Sequence, residues 1–215
     1  MSRILLLAML AWGGVAAQGH RVDEYLQATR LGLSTNEVTL ELDLTPGTLT
    51  TPQILPLIDL NRDGQVLPAE EAAYAQSVLD ALTLKDNGRG LTFVLLAKEF
   101  PAADQMKEGL GTIRLTAKAT LQPPTAGKHT LHYRNDHQTN LSVYLANAFL
   151  PPPGIVITHQ RRDELQREFE IEGLWAEAIQ PTPEQSRLKL WLGLGLVALC
   201  GAGFHRLTAS KPKKV

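Results

Sequence analysis

The residues best suited to chemistry lie in one short stretch, Asp59-Leu60-Asn61-Arg62-Asp63-Gly64-Gln65-Val66-Leu67-Pro68-Ala69-Glu70. Counted as a twelve-residue loop, it places side-chain oxygens at positions 1, 3, 5 and 12 and glycine at position 6. That spacing serves a hard cation. Ca²⁺ takes six to eight oxygen ligands at about 2.3–2.6 Å, so a short chain has to fold round the ion. Asp59, Asn61 and Asp63 would each give one side-chain oxygen, Gln65 its backbone carbonyl, and Glu70 both carboxylate oxygens. Leu67, at position 9, has no side-chain oxygen and leaves that place to water. Gly64 permits a sharp turn that a Cβ would oppose. Asp and Asn also make metal-free turns by accepting from their own backbone, so the flanks have to decide between the two readings.

The flanks read as helices. Leu55 and Ile58 stand four and one residues before position 1. Behind the loop, Tyr74, Ala75, Val78 and Leu82 recur at helical spacing. Pro68, Glu70 and Glu71 suit a first turn, where an amide is free and the dipole favours negative charge. Thr51-Pro52 marks the start of the entering helix, and Pro56 inside it predicts a short or kinked one. With D-x-[DN]-x-[DN]-G-x5-E complete, the stretch resembles the EF-hand family over about 30 residues. The resemblance implies a helix–loop–helix that binds calcium, placed as an insertion at 51–83.

The surroundings are not those of a cytosolic helical protein. Glu37 to Leu44 alternates, with Val38, Leu40, Leu42 and Leu44 on one face. Glu24 to Ser34 precedes it as a strand, joined through Thr35-Asn36. After the helices, Leu91 to Ala97 is a continuous apolar run that predicts a buried strand. Thr112 to Leu121 alternates, with Ile113, Leu115, Ala117, Ala119 and Leu121 inward. Lys128 to Tyr133, Leu141 to Ala148, Ile155 to Gln160 and Leu165 to Glu172 complete the set. Short strands punctuated by Pro and Gly predict a mainly β fold, an antiparallel β-sandwich (Ig-like) over 20–172 carrying the helical insertion.

The two ends predict a membrane protein. Arg3, the apolar Ile4 to Trp12 and the small residues Gly13 to Ala17 form a signal peptide over 1–19. Cleavage after Ala17 and cleavage after Gly19 both satisfy the small-residue rule, and the second makes His20 the mature amino terminus. Residues 173–186, with Pro181 and Pro183, read as a linker. Residues 187–207 read as a transmembrane helix, since Leu190 to Phe204 contains no charge, and 208–215 as a basic cytoplasmic tail with Lys211, Lys213 and Lys214. The body is therefore expected in the periplasm or outside the cell, held by a single pass through the cytoplasmic (inner) membrane. The lone Cys200 allows no intramolecular disulfide.

Other chemistry is thin. A net charge of −1 argues against a nucleic-acid partner. There is no G-x-S-x-G, no phosphate loop and no H-E-x-x-H, and the chain does not read as an enzyme. Asp136-His137 reads as part of a hairpin turn. His129 and His132, three apart on a strand, fall on opposite faces and read as surface or rim side chains. If His20 is the amino terminus, its amine and ring nitrogen could chelate Ni²⁺ or Cu²⁺ together. The stretch His20-Arg21-Val22-Asp23-Glu24-Tyr25-Leu26-Gln27-Ala28, the loop, and Ser142-Val143-Tyr144-Leu145 resemble bacterial extracytoplasmic EF-hand proteins. Some of these look similar to the exported head regions of HupE/UreJ-type transition-metal permeases. With one spanning segment this chain is no channel, so a transport role implies a partner permease. The sequence leads first to a membrane-anchored calcium-binding protein in which Ca²⁺ is structural. Second comes an accessory subunit for transition-metal uptake. A lone loop would be completed by a second copy of the chain or braced by the sandwich.

Overall fold

Alternation builds the first sheet, as the apolar periodicity predicts. A computed structural model describes residues 23–121 and 126–176. In it, β1 (Tyr25–Leu33) and β2 (Glu37–Pro46) form a hairpin with Tyr25 opposite Pro46 and Leu33 opposite Val38. The turn closes where the Ser34 amide donates to the Glu37 carbonyl at 3.0 Å. After β2 come α1 (Thr51–Ile58) and α2 (Pro68–Asp80), then β3 (Leu82–Asp86), β4 (Arg89–Leu91) and β5 (Val94–Glu99). A one-turn helix, α3 (Ala103–Lys107), leads into β6 (Ile113–Thr120). The remaining strands are β7 (Gly127–Asn135), β8 (Ser142–Ala148), β9 (Ile155–Arg162) and β10 (Glu168–Trp175).

The strands make two five-stranded sheets, β5-β6-β2-β1-β8 and β4-β3-β7-β10-β9. The fold is mainly β, and one core lies between the sheets, joining Leu31, Leu40 and Leu42 of the first to Leu131, Phe169 and Ile171 of the second. Polar side chains cross it as well. Thr29 Oγ1 and the Tyr133 hydroxyl are 3.0 Å apart, and Asn135 Nδ2 donates to Gln27 Oε1 at 2.9 Å. At the far end the Trp175 indole donates to the Ser34 carbonyl at 3.0 Å. Pairing is antiparallel except between β1 and β8, which run parallel. The antiparallel β-sandwich expected from the sequence is met in its mainly antiparallel sheets and departs from that pattern at this one pair. β7 finishes beside Leu82, the short 136–141 connection crosses to the other sheet, and β8 has to set out from that same end. Asp136-His137 is thus a crossover between sheets and not a hairpin turn.

Three further boundaries differ from the sequence reading. Leu82 opens β3 and does not continue the helix, which stops at Asp80. The run Leu91 to Ala97 does not form a buried strand. Its larger part is β5, at a sheet edge with a register shift between Leu95 and Ala97, and Val94 and Leu96 are exposed. An apolar run alone does not separate edge from centre. β10 also continues to Trp175, three residues into the expected linker. The expected signal peptide, His20, the remainder of the linker, the transmembrane helix and the basic tail lie outside the described residues. Among the described residues no helix is long and apolar enough to cross a membrane.

The shift in register between Glu172 and Gly173 brings backbone and ring unusually close. A Cβ on Gly173 would sit 2.6 Å from the Trp175 ring and 2.9 Å from the Val156 carbonyl oxygen. Gly173→Ala should therefore lower stability by about 1–3 kcal/mol, the usual cost of forcing a methyl into a filled core. The midpoint of urea unfolding reads it.

Candidate metal centre

The helical insertion leaves the sandwich after β2 and returns as β3, so it sits at the strand ends marked by Tyr25, Pro46 and Asn135. α1 has only eight residues and carries Pro56. Its Thr51 hydroxyl bonds both the Gly47 carbonyl (3.0 Å) and the Met106 carbonyl (2.9 Å), tying the helix start to α3. Ile54 and Ile58 are buried, and Asp59 caps the helix with its amide on the Leu55 carbonyl at 2.9 Å.

From Asp59 the chain winds tightly round its own side chains. Asp59 is 5% exposed. Its Oδ1 accepts from the Asp63 amide at 3.2 Å and its Oδ2 from the Gly64 amide at 2.9 Å. Asn61 Oδ1 accepts from the Asp63 amide at 2.9 Å, and Asp63 Oδ1 from the Gln65 amide at 2.8 Å. Arg62 and Gly64 both take left-handed conformations, φ 60° and 83°. This is the reversal that Gly64 was expected to allow. Glu70, in the first turn of α2, reaches back across the loop. Its Oε1 accepts from the amides of Leu60 (3.0 Å) and Asn61 (3.3 Å), and its Oε2 from the Leu67 amide (3.0 Å).

The structure therefore brings Asp59, Asn61, Asp63 and Glu70 onto the amides of one loop, with Gln65 held through its amide to Asp63. Among the described residues no three Asp, Glu, His or Cys side chains gather closely enough to hold an ion as they stand. The donor set still suits a hard cation. Oxygens recur at every second residue, and each carboxylate keeps lone pairs beyond those given to amides. Asn61 Nδ2 also points at Asp63 Oδ2, 3.0 Å away.

α2 is seated by a buried polar cluster. Tyr74, Ala75, Val78 and Leu79 face the body. The Tyr74 hydroxyl lies 2.8 Å from the Tyr25 hydroxyl and 3.1 Å from His137 Nε2. Around it, the His137 carbonyl accepts from Gln27 Nε2 and from the Tyr144 hydroxyl, both at 2.8 Å, and the His137 amide donates to Asn135 Oδ1 at 2.9 Å. On the outer side an ion pair joins Lys98 to Glu71, and Phe100 meets the Tyr74 ring edge-on at 6.2 Å. Burial pushes Tyr74 up to about 12 and His137 down to about 4, so both are neutral at ordinary pH.

Sequence reading missed this cluster. A signal was there: His129, Leu131, Tyr133, Asn135 and His137 share one parity, and all five are buried. His129 and His132 do fall on opposite faces, but His129 is no rim residue. Its Nδ1 lies 2.9 Å from Asp86 Oδ1, and its ring packs against Trp175 with centroids 4.5 Å apart. His132 is half-exposed, 3.6 Å from Glu168. Compared with known proteins, the sequence matches no protein-family model, and no curated protein matches it.

The neutral His137 makes stability depend on pH. The unfolded chain takes up this proton near pH 6.5, whereas the folded chain resists it until about pH 4. Stability is then fully present above pH 6.5 and is lost progressively as pH falls toward 4, by up to about 3 kcal/mol. Urea unfolding between pH 7 and 4 should show this slope, and His137→Gln should flatten it.

Proposed function

We propose that this chain is a membrane-anchored, extracytoplasmic calcium-binding protein in which a single EF-hand, Asp59 to Glu70, has a structural role. One observation carries the reading. Oxygen side chains at alternate residues are locked by loop amides, between two helices packed on one body, and Glu70 of the second helix closes back over the first residues of the loop. A calcium ion bound there would supply positive charge to offset the repulsion among the carboxylates of Asp59, Asp63 and Glu70. Asp59, Asn61 and Asp63 would hold it through side chains, Gln65 through its carbonyl, and Glu70 through both carboxylate oxygens.

A structural role is supported by the packing of the helices. Ile54, Ile58, Tyr74, Ala75, Val78 and Leu79 belong to the same core as the strands, and Val66 of the loop packs against it. A sensor that swings its helices apart would have to break that core. The charged start and apolar stretch of 1–19 and the uncharged run from Leu190 to Phe204 support the location. Outside the cytoplasm an affinity of about 10⁻⁴–10⁻³ M is sufficient.

Calorimetric titration of the purified chain should show one calcium site per chain in that range. Asp59→Ala and Glu70→Gln should each weaken it at least tenfold while circular dichroism stays that of the wild type. At 100 times the dissociation constant, calcium should stabilise the wild type by about 2.7 kcal/mol. Binding heat that is unchanged in both variants rules the assignment out.

A further inference from the structure

The strand ends opposite the cation loop carry an apolar tip. Phe149 to Gly154 joins β8 to β9 across the two sheets. There Leu150 is 95% exposed, Val156 60% and Leu174 50%. The shallow depression among them is formed by Ala148 to Ile157 together with Gln160, and none of these residues is charged. Its backbone is also poor in donors. Pro151, Pro152 and Pro153 have no N–H, and the Phe149 amide already donates to the Leu31 carbonyl at 2.9 Å. Such a segment leaves water at lower cost than an ordinary loop, whose amides would each need a partner.

Polarity is segregated along the same sheet. On the outer face, Leu174 stands in the tip row between Val156 and Lys128. The next rows inward are charged: Glu172 beside His159, then Glu170 beside Arg161 and His132. Lys128 pairs with Glu172 at 2.8 Å at that boundary. Toward β9 this face is apolar at the tip and charged from the next row inward, which matches a surface that enters an apolar phase to a shallow depth.

The course of the chain says which phase. The Ala176 amide donates to the Gly154 carbonyl at 2.7 Å, so the chain leaves the sandwich from the tip itself. The uncharged run that starts at Leu190 follows within 14 residues. That is at most about 50 Å of extended chain. A bilayer that takes up this run is within reach of Leu150.

We propose that the Phe149–Gly154 tip, with Val156 and Leu174, rests in the interface of the lipid bilayer that the C-terminal run enters, with Leu150 deepest. This inference relies on the membrane-anchored reading above.

The test uses the full chain with Cys200→Ser, carrying Leu150→Cys or, on the exposed side of α2, Gln76→Cys. Each is labelled with a polarity-sensitive nitrobenzoxadiazole probe and reconstituted into phosphatidylcholine–phosphatidylglycerol vesicles. At Leu150 the emission should rise at least twofold over detergent-free buffer values for an exposed probe, and spin-labelled lipids should quench it. The Gln76 probe should do neither. A chain retained through an alkaline carbonate wash whose Leu150 probe stays water-like overturns the proposal while the anchored reading stands. So does a retained chain whose probe is shielded but not quenched by lipid, since a second copy or another protein then covers the tip. A chain stripped by carbonate overturns the anchored reading and the proposal together.

Discussion

Tyr74 stands one helical turn beyond Glu70, with its ring in the core and its hydroxyl out of reach of bulk water. A buried hydroxyl without a partner costs about 1–3 kcal/mol, so α2 can pack only where that hydroxyl is answered. Tyr25 and His137 supply the answer from two separate elements, the first residue of β1 and the crossover after β7. His137 is fixed in turn by Gln27, Asn135 and Tyr144, which bind the crossover backbone. The position of Glu70 is thus set by a chain of hydrogen bonds that begins between the sheets. A shift of α2 by one residue would put Tyr74 into solvent and carry Glu70 off the loop.

The same cluster shows what single-sequence reading can reach. Val38, Leu40, Leu42 and Leu44 declare their face because water penalises every alternate residue in the same way, and β2 and β6 lie where that pattern puts them. The loop is legible for a related reason, since Asp59, Asn61, Asp63, Gly64 and Glu70 interact within twelve residues and their spacing is their geometry. His137 obeys the strand parity as well, but its partners lie 63 and 110 residues away, and no local rule brings them together. β5 fails in the opposite sense. Leu95 faces the core while Val94 and Leu96 stand exposed at an edge, so a run that looks uniformly apolar hides two environments. The five residues of α3 are too few for a helical period to declare itself.

Direction follows from the strands as well. β1, β2, β7 and β10 run the whole length between the helical insertion and the Phe149–Gly154 connection. At about 3.3 Å per residue, the ten residues of β2 span roughly 30 Å. The two ends also differ in chemistry, although Glu37, Lys118 and Lys128 keep charge near the second. One gathers carboxylates and buried hydroxyls; the other gathers Trp175, three prolines and exposed Leu150. On the proposed reading, the sandwich is a spacer between a lipid-facing end and a cation-facing end.

A lone helix–loop–helix has too little apolar surface to be stable by itself, which is why such units ordinarily need a second body to pack on. Here the second body is present in the same chain. Ile54 and Ile58 of α1 and Val78 and Leu79 of α2 close the open end of the sandwich, and the sandwich in return covers their apolar faces. Thr51 pins α1 to the Met106 carbonyl of α3, and the Lys98–Glu71 ion pair with Phe100 guards the flank of α2 along β5. The loop between them is held locally, since the carboxylates of Asp59, Asp63 and Glu70 each accept from loop amides. Packing thus fixes both ends of the loop, and backbone amides fix the carboxylates between them. On the proposed reading, calcium would add charge compensation to a loop whose two ends the core already holds in place.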